Sequence, residues 1–290
     1  MKKRLLSLAA AVTMLTSVFT PVYANEIDLD ITADDDVTLG LSLDEDELLK
    51  DAKPEWCDWD AYTGTLTLSG QLPSTYRRGA AGVVITRSLA YYADIDPSAI
   101  KHIVITSGTK TDTKASYMFY EMDNLIDIQG LQNLNTSAAT DMNRMFCGCS
   151  SIRSLDLSGF DVRNVTDMSA MFYECYALET LDVKAWNTLA LQNTRYMFYN
   201  CTALGSLEFG RDWETENVTD FSGMFAGCSS LEKLYLGAFD IRSANTLDEM
   251  FIDCESLISL DLSGWKMPGG ASAADMFLGC TSLETICLYQ

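Results

Sequence analysis

Nine cysteines, a single histidine and 41 acidic side chains are the groups of this 290-residue sequence that could do chemistry. Six of the thiols, Cys149, Cys175, Cys201, Cys228, Cys254 and Cys280, recur at one phase of a repeat. Stacked in register, neighbouring rungs would fall about 5 Å apart, inside the disulfide window by distance. Their Cβ vectors would run parallel, however, and apolar surroundings would make each a small buried hydrophobe. Mostly free, unreactive thiols are therefore expected. Cys147-Gly148-Cys149 suggests a redox or metal pair, but Cys149 already belongs to the ladder. Cys57 and Cys287 are outliers that could pair with other chains, and disulfides at Cys57, Cys147 and Cys287 stay open. His102 sits in the apolar alternation His102-Ile103-Val104-Ile105, with no partner in the local sequence, and reads as structural and not as a general base. One histidine excludes a HExxH zinc site. No phosphate loop, dinucleotide fingerprint or nucleophile elbow is present. No catalytic residue, metal site or cofactor is expected, and the chain does not read as an enzyme.

The elements that position these groups follow from a repeat. Met118-Phe119, Met145-Phe146, Met171-Phe172, Met197-Phe198, Met224-Phe225, Met250-Phe251 and Met276-Phe277 are 26 or 27 residues apart. Seven units at that period indicate a solenoid, because each unit can bury its apolar side only against its neighbours. Within a unit, Asp167 precedes Met168, Met171, Phe172 and Cys175, a spacing that predicts a short amphipathic helix capped by the aspartate. Asp141 and Asp220 stand in the same place. Ser154-Leu155-Asp156-Leu157-Ser158 then alternates with period two, which predicts a strand, and Phe160, Trp186, Phe239 and Trp265 plug the turn after it. Strands repeating once per unit must lie parallel. A helix is about 10 Å wide and strands lie about 4.8 Å apart, so the sheet should be concave. The expected fold is an α/β solenoid, leucine-rich-repeat-like, with a parallel sheet on the concave side and one short helix per turn on the convex side.

The repeated Cys-x-x-Leu-x-x-Leu-Asp-Leu-Ser-x-Phe-Asp, followed by Asn164-Val165-Thr166-Asp167-Met168-Ser169 and Met171-Phe172, resembles the BspA-type leucine-rich-repeat surface proteins of the 26-residue subgroup. The resemblance covers residues 112–290 and implies bacterial adhesion to host proteins or other cells. Units three and six depart from it at Ala190-Leu191-Gln192-Asn193-Thr194 and Ser243-Ala244-Asn245-Thr246-Leu247, which puts capping there in doubt.

Residues 1–24 read as a signal peptide: Lys2, Lys3 and Arg4, an apolar run from Leu5 to Phe19, then Val22-Tyr23-Ala24. Its removal would move the formal charge from −21 to −24, since three basic residues go with it. Such a chain repels phosphate backbones and anionic membranes, so neither nucleic-acid binding nor membrane insertion is expected. Residues 25–51, with eleven acidic residues against one Lys, read as an acidic disordered tail. Asp28, Asp30 and Asp34 lack the Gly and distal Glu of a calcium loop. Residues 52–111 read as an N-terminal β-rich cap, ahead of the seven-turn solenoid over 112–290. The sequence stops after its last strand pattern, which suggests self-association through an uncapped C-terminal turn as a second reading.

The outward strand positions are the candidate binding residues: Ser154 and Asp156, Thr180 and Asp182, Ser206 and Glu208, Lys233 and Tyr235, Ser259 and Asp261. Asp156, Asp182 and Glu208 would lie side by side. That row reads either as an acidic strip attracting a basic partner or calcium, or as a solvated face whose charges preserve solubility. Together these features indicate a secreted or cell-surface recognition protein whose partner is a host or neighbouring-cell surface or matrix protein, or a glycan. A structural or assembly module is the alternative.

Overall fold

The computed structural model describes residues 54–78 and 84–288. The expected signal peptide and acidic tail lie outside the described residues. Ahead of the repeats come β1 (Cys57–Asp60), β2 (Thr65–Leu68), β3 (Tyr76–Arg78), β4 (Val84–Thr86), the one-turn helix α1 (Leu89–Tyr92) and β5 (His102–Ile105). β6 (Asp127–Gln129), β7 (Ser154–Asp156), β8 (Thr180–Asp182), β9 (Lys233–Tyr235), β10 (Ser259–Asp261) and β11 (Thr285–Cys287) belong to successive repeats, here called coils one to seven by their Met-Phe pairs.

The strands stack in parallel, as a once-per-coil strand requires. β2, β5 and β6 follow one another in parallel, with β1 antiparallel at the edge, so the lead-in segment and coil one share a sheet. β7 pairs β8, and β9, β10 and β11 form a second run, with Leu155 opposite Leu181 and Leu234 opposite Leu260. Between these runs, coil four keeps only single bridges, Val183 to Phe209 and Ser206 to Lys233. The Met, Phe, Cys and Leu positions of every coil meet in one continuous core. The described fold is a parallel β-solenoid.

The Met-Phe segments are not helices. Residues three or four apart do point inward, for Met168, Met171, Phe172 and Cys175 are all buried. The backbone reaches that pattern through tight turns. Met171, Tyr173 and Cys175 donate to the carbonyls three residues back (3.1–3.2 Å), while Met168, Ala170, Phe172 and Glu174 donate across to Asn193, Arg195, Met197 and Tyr199 of the next coil (2.8–3.1 Å). Ala170 and Glu174 sit at φ 52° and 57°, in the left-handed region, and the same two places are left-handed in the other coils. An α-helix would bond internally and hold neighbouring coils about 10 Å apart, whereas the strands on the other side demand about 4.8 Å. The turn side takes the strand spacing: the stacked Phe rings from Phe119 to Phe277 are 5.1–5.7 Å apart. This corrects the expected helix per turn, and it removes the difference in layer spacing from which a concave sheet and a convex helical side were expected.

The capping aspartates keep their bond and change their purpose. Asp141, Asp167 and Asp220 accept from the N–H two residues on (2.8–3.0 Å), which opens a turn instead of a helix. Where the motif departs, Asn193 Oδ1 accepts from Arg195 (3.0 Å) and Thr246 Oγ1 from Asp248 (3.2 Å), so the expected weakness ahead of Met197 and Met250, on coils four and six, does not arise.

Candidate functional site

Alternation along each strand decides what the sheet shows to solvent. Leu155, Leu181, Leu207 and Leu234 are buried, while Ser154, Asp156, Thr180, Asp182, Ser206, Glu208, Lys233 and Tyr235 are exposed and Ser259 and Asp261 are half-buried. Parallel register brings Ser154 beside Thr180 and Asp156 beside Asp182, then Lys233 beside Ser259 and Tyr235 beside Asp261. Ser206 and Glu208 lie outside any strand, on the bridged coil between the two runs.

The acidic row is occupied by local bonds. Asp156 Oδ1 accepts from Ser158 Oγ (2.6 Å) and Ser158 N (3.1 Å), and these bonds, the side-chain one first, hold its carboxyl below the usual range. Asp182 accepts from Lys184 N at 3.0 Å and Asp261 from Ser263 N at 2.9 Å. Lys184 Nζ reaches Glu208 Oε2 at 2.5 Å. The aspartates thus close the turn after each strand, and one lysine offsets one glutamate. Among the described residues no group of three or more His, Cys, Asp or Glu could hold a metal ion.

No disulfide joins any of the nine cysteines. The six at the repeat phase do more than fill space. Each Sγ donates to the Phe carbonyl of the preceding coil: Cys149 to Phe119, Cys175 to Phe146, Cys201 to Phe172, Cys228 to Phe198, Cys254 to Phe225 and Cys280 to Phe251, all at 3.0–3.2 Å. Burial raises every one of these thiols, Cys228 to about 12. A protonated, buried thiol is neither a nucleophile nor a metal ligand. Cys147 is buried as well, and burial raises its thiol to about 12.

His102 has a partner that local sequence did not indicate. Its Nδ1 lies 2.7 Å from Asp127 Oδ2, because β5 and β6 place His102 opposite Asp127. The pair lies on a half-exposed strand face.

The turn side carries residues that the strand-centred reading passed over. Tyr117, Tyr120, Tyr173, Tyr176, Tyr196 and Tyr199 cluster on coils one, three and four. Tyr173 stacks on Tyr199 at 4.6 Å, and Tyr196 meets both edge-on. Arg144 lies over Tyr117 and Arg195 over Tyr196, at 5.6 and 4.8 Å. The signal was available in the sequence, since these tyrosines hold three fixed offsets from the Met of their coils. Among the described residues no helix is long and apolar enough to cross a membrane.

A family model described as "Mycoplasma protein of unknown function, DUF285" matches residues 113–208 and 207–287, more than half of the chain. A leucine-rich repeat protein from Bacteroides ovatus aligns over 80% of this chain and 74% of its own at 14% identity, with a TM-score of 0.29. One from Eubacterium ventriosum aligns over 78% and 80% at 15% identity and TM-score 0.27. A leucine rich cell surface protein from Faecalibacterium prausnitzii aligns over 81% and 92% at 16% identity and TM-score 0.24. Similarity at that level says nothing about ligand or activity. No curated protein matches the chain.

Proposed function

The chain belongs to the DUF285 family, with a BspA-like leucine-rich repeat, and from that membership we propose that it works by recognition at the cell surface and not by catalysis. The observation that carries the reading is the division of the solenoid into a closed interior and a repeated exterior. The ladder thiols, which could act as nucleophiles, are all hydrogen-bonded and, apart from the half-buried Cys280, buried, while polar side chains stand outward in rows set by the strand spacing. Repeated rows of this kind suit an extended partner, whose own groups can engage several coils at once. The export pattern at residues 1–24 supports a destination outside the cytoplasm.

The partner is a host or neighbouring-cell surface or matrix protein, or a glycan, and the strand face is the first place to look. Neutralising Asp156, Asp182 and Glu208 together (Asp156→Asn, Asp182→Asn, Glu208→Gln) measures the share of the acidic strip in retention of the purified chain on cells or immobilised matrix proteins, and a loss would place the strip in the interface. Unchanged retention would remove the acidic strip from the interface.

A further inference from the structure

We propose that the turn side of coils three to six is a docking surface for an arginine-bearing segment of a basic partner protein; this rests on the recognition reading above and moves its main site off the strands. Four observations support it.

The first is composition. Four tyrosines, Tyr173, Tyr176, Tyr196 and Tyr199, crowd the turn side of coils three and four, and Tyr176 is 42% exposed, whereas the strand side of the described repeats carries Tyr235 alone among aromatics facing out. Tyrosine and arginine are the residues that most often anchor protein interfaces.

The second is that the fold does not ask for those residues. Tyr117, Tyr196 and Glu249 occupy the left-handed place just before the Met, at φ 59°, 55° and 58°. Bulky side chains are unfavourable there, and Arg144, Ala170, Gly223 and Asp275 hold the same place in the other coils, so the turn accepts a small residue as readily as a tyrosine. A strained residue that the turn does not need points to a use outside the turn.

The third is the surface's behaviour toward guanidinium groups. Arg144 lies over Tyr117 and donates to its hydroxyl (2.5 Å), and Arg195 lies over Tyr196. A planar guanidinium stacks on an aromatic ring and bonds a carboxylate edge-on, which a lysine ammonium does less well.

The fourth is charge. Beside Tyr196, where Gly223 offers no side chain, an open recess of about 390 Å³ is bordered by Asp220, Asp248 and Glu249. Asp220 accepts from Ser222 N–H and Asp248 from Ser272 Oγ and Ala274 N–H through one oxygen each, which leaves their second oxygens and Glu249 toward the recess, with Arg195 Nη1 3.9 Å from Asp220 Oδ2. Glu174 adds another carboxylate beside Tyr176. On a chain of net charge −21 these features complement a basic segment with arginines, and long-range attraction would bring it in.

The repeat supplies substitutions that the fold already accommodates. Tyr196→Ala places the residue found at Ala170, and Tyr176→Ser the one found at Ser150 and Ser229. Glu249→Gln removes only charge. Binding of labelled nona-arginine to the full chain is measured by fluorescence anisotropy at about 0.15 M salt, where exposed charges beyond roughly 8 Å are screened. Each turn-side variant should weaken binding by about fivefold to tenfold, with thermal unfolding showing the fold intact, while the strand-side triple variant should bind within about twofold of the parent. Three results would overturn the proposal: no nona-arginine binding by the parent, equal binding by every variant, or loss confined to the strand-side variant. The last would leave the recognition reading standing and return the site to the sheet. Loss of neutral-oligosaccharide binding in Tyr196→Ala, without nona-arginine binding, would overturn the stated partner class.

Discussion

A thiol recurring once per coil could be reactive, bridged or inert, and hydrogen bonding decides among the three. Each Phe carbonyl from Phe146 to Phe251 accepts twice, from the N–H of its own coil's Cys and from the Sγ of the next coil's Cys. A disulfide between rungs would take the donor away and leave a buried carbonyl half-satisfied. Thiol titration of unreduced protein should find the ladder cysteines unreactive when folded and fully reactive in denaturant; few free thiols after unfolding would contradict the ladder. The raised values also fix a pH dependence. In the unfolded chain a thiol ionises near 9.0, but the folded Cys228 holds its proton to about 12. Its stabilising contribution is present below pH 9 and is lost as pH climbs toward 12, by up to about 1.4 kcal/mol per pH unit. The urea midpoint should therefore fall above pH 9, and Cys228→Ala should show a lower midpoint at pH 7 with a shallower alkaline slope. Asp167 behaves in the opposite sense at neutral pH: burial, with Asp141 beside it, raises its carboxyl and makes the charged form unfavourable. Asp167→Asn keeps the acceptor for Ser169 N–H, as Asn193 does for Arg195, and should raise the urea midpoint at pH 7. Equal stabilities at pH 7 would rule out that account.

At the scale of the element, the turn that replaces the expected helix rests on two left-handed residues per coil and on cross-coil bonds. Far-UV circular dichroism should lack the double minimum of α-helix, and a strongly helical spectrum would defeat the turn assignment. Ala170 offers a local check, since φ 52° disfavours a β-branched side chain and accepts glycine. Ala170→Val should destabilise by about 1–2 kcal/mol in urea titration, and Ala170→Gly should be near neutral. Sequence periodicity could not separate the helix from the turn. Both put Met168, Met171, Phe172 and Cys175 inward, and burial alone writes that pattern. The plugging aromatics were legible, with one exception that the extra residue of coil four explains. Trp186 and Trp265 donate their indole N–H to Leu157 and Leu236 (3.1 and 2.8 Å), whereas Trp213, displaced by that residue, is buried with its N–H unpaired.

Across the whole stack, each coil touches only its neighbours, so protection should follow position. The amides of Phe172 and Phe198, which donate across coils in the interior, should exchange more slowly with deuterium than that of Leu278 in coil seven, where Phe277, Cys280 and Leu283 are only half-buried. Uniform exchange along the stack would argue for one cooperative unit instead.

The repeat, the parallel strand order and the inward leucines were decided by the sequence alone, because a period of 26 or 27 residues leaves each apolar side nowhere to go except against its neighbour. The tertiary structure alone decided what the Met-Phe segment is, where the thiol protons go and which acid meets His102. Those outcomes depend on the distance between layers, and that distance is set by hydrogen bonds between residues some 26 positions apart, which no local pattern contains. The same stacking brings the tyrosines together on one side.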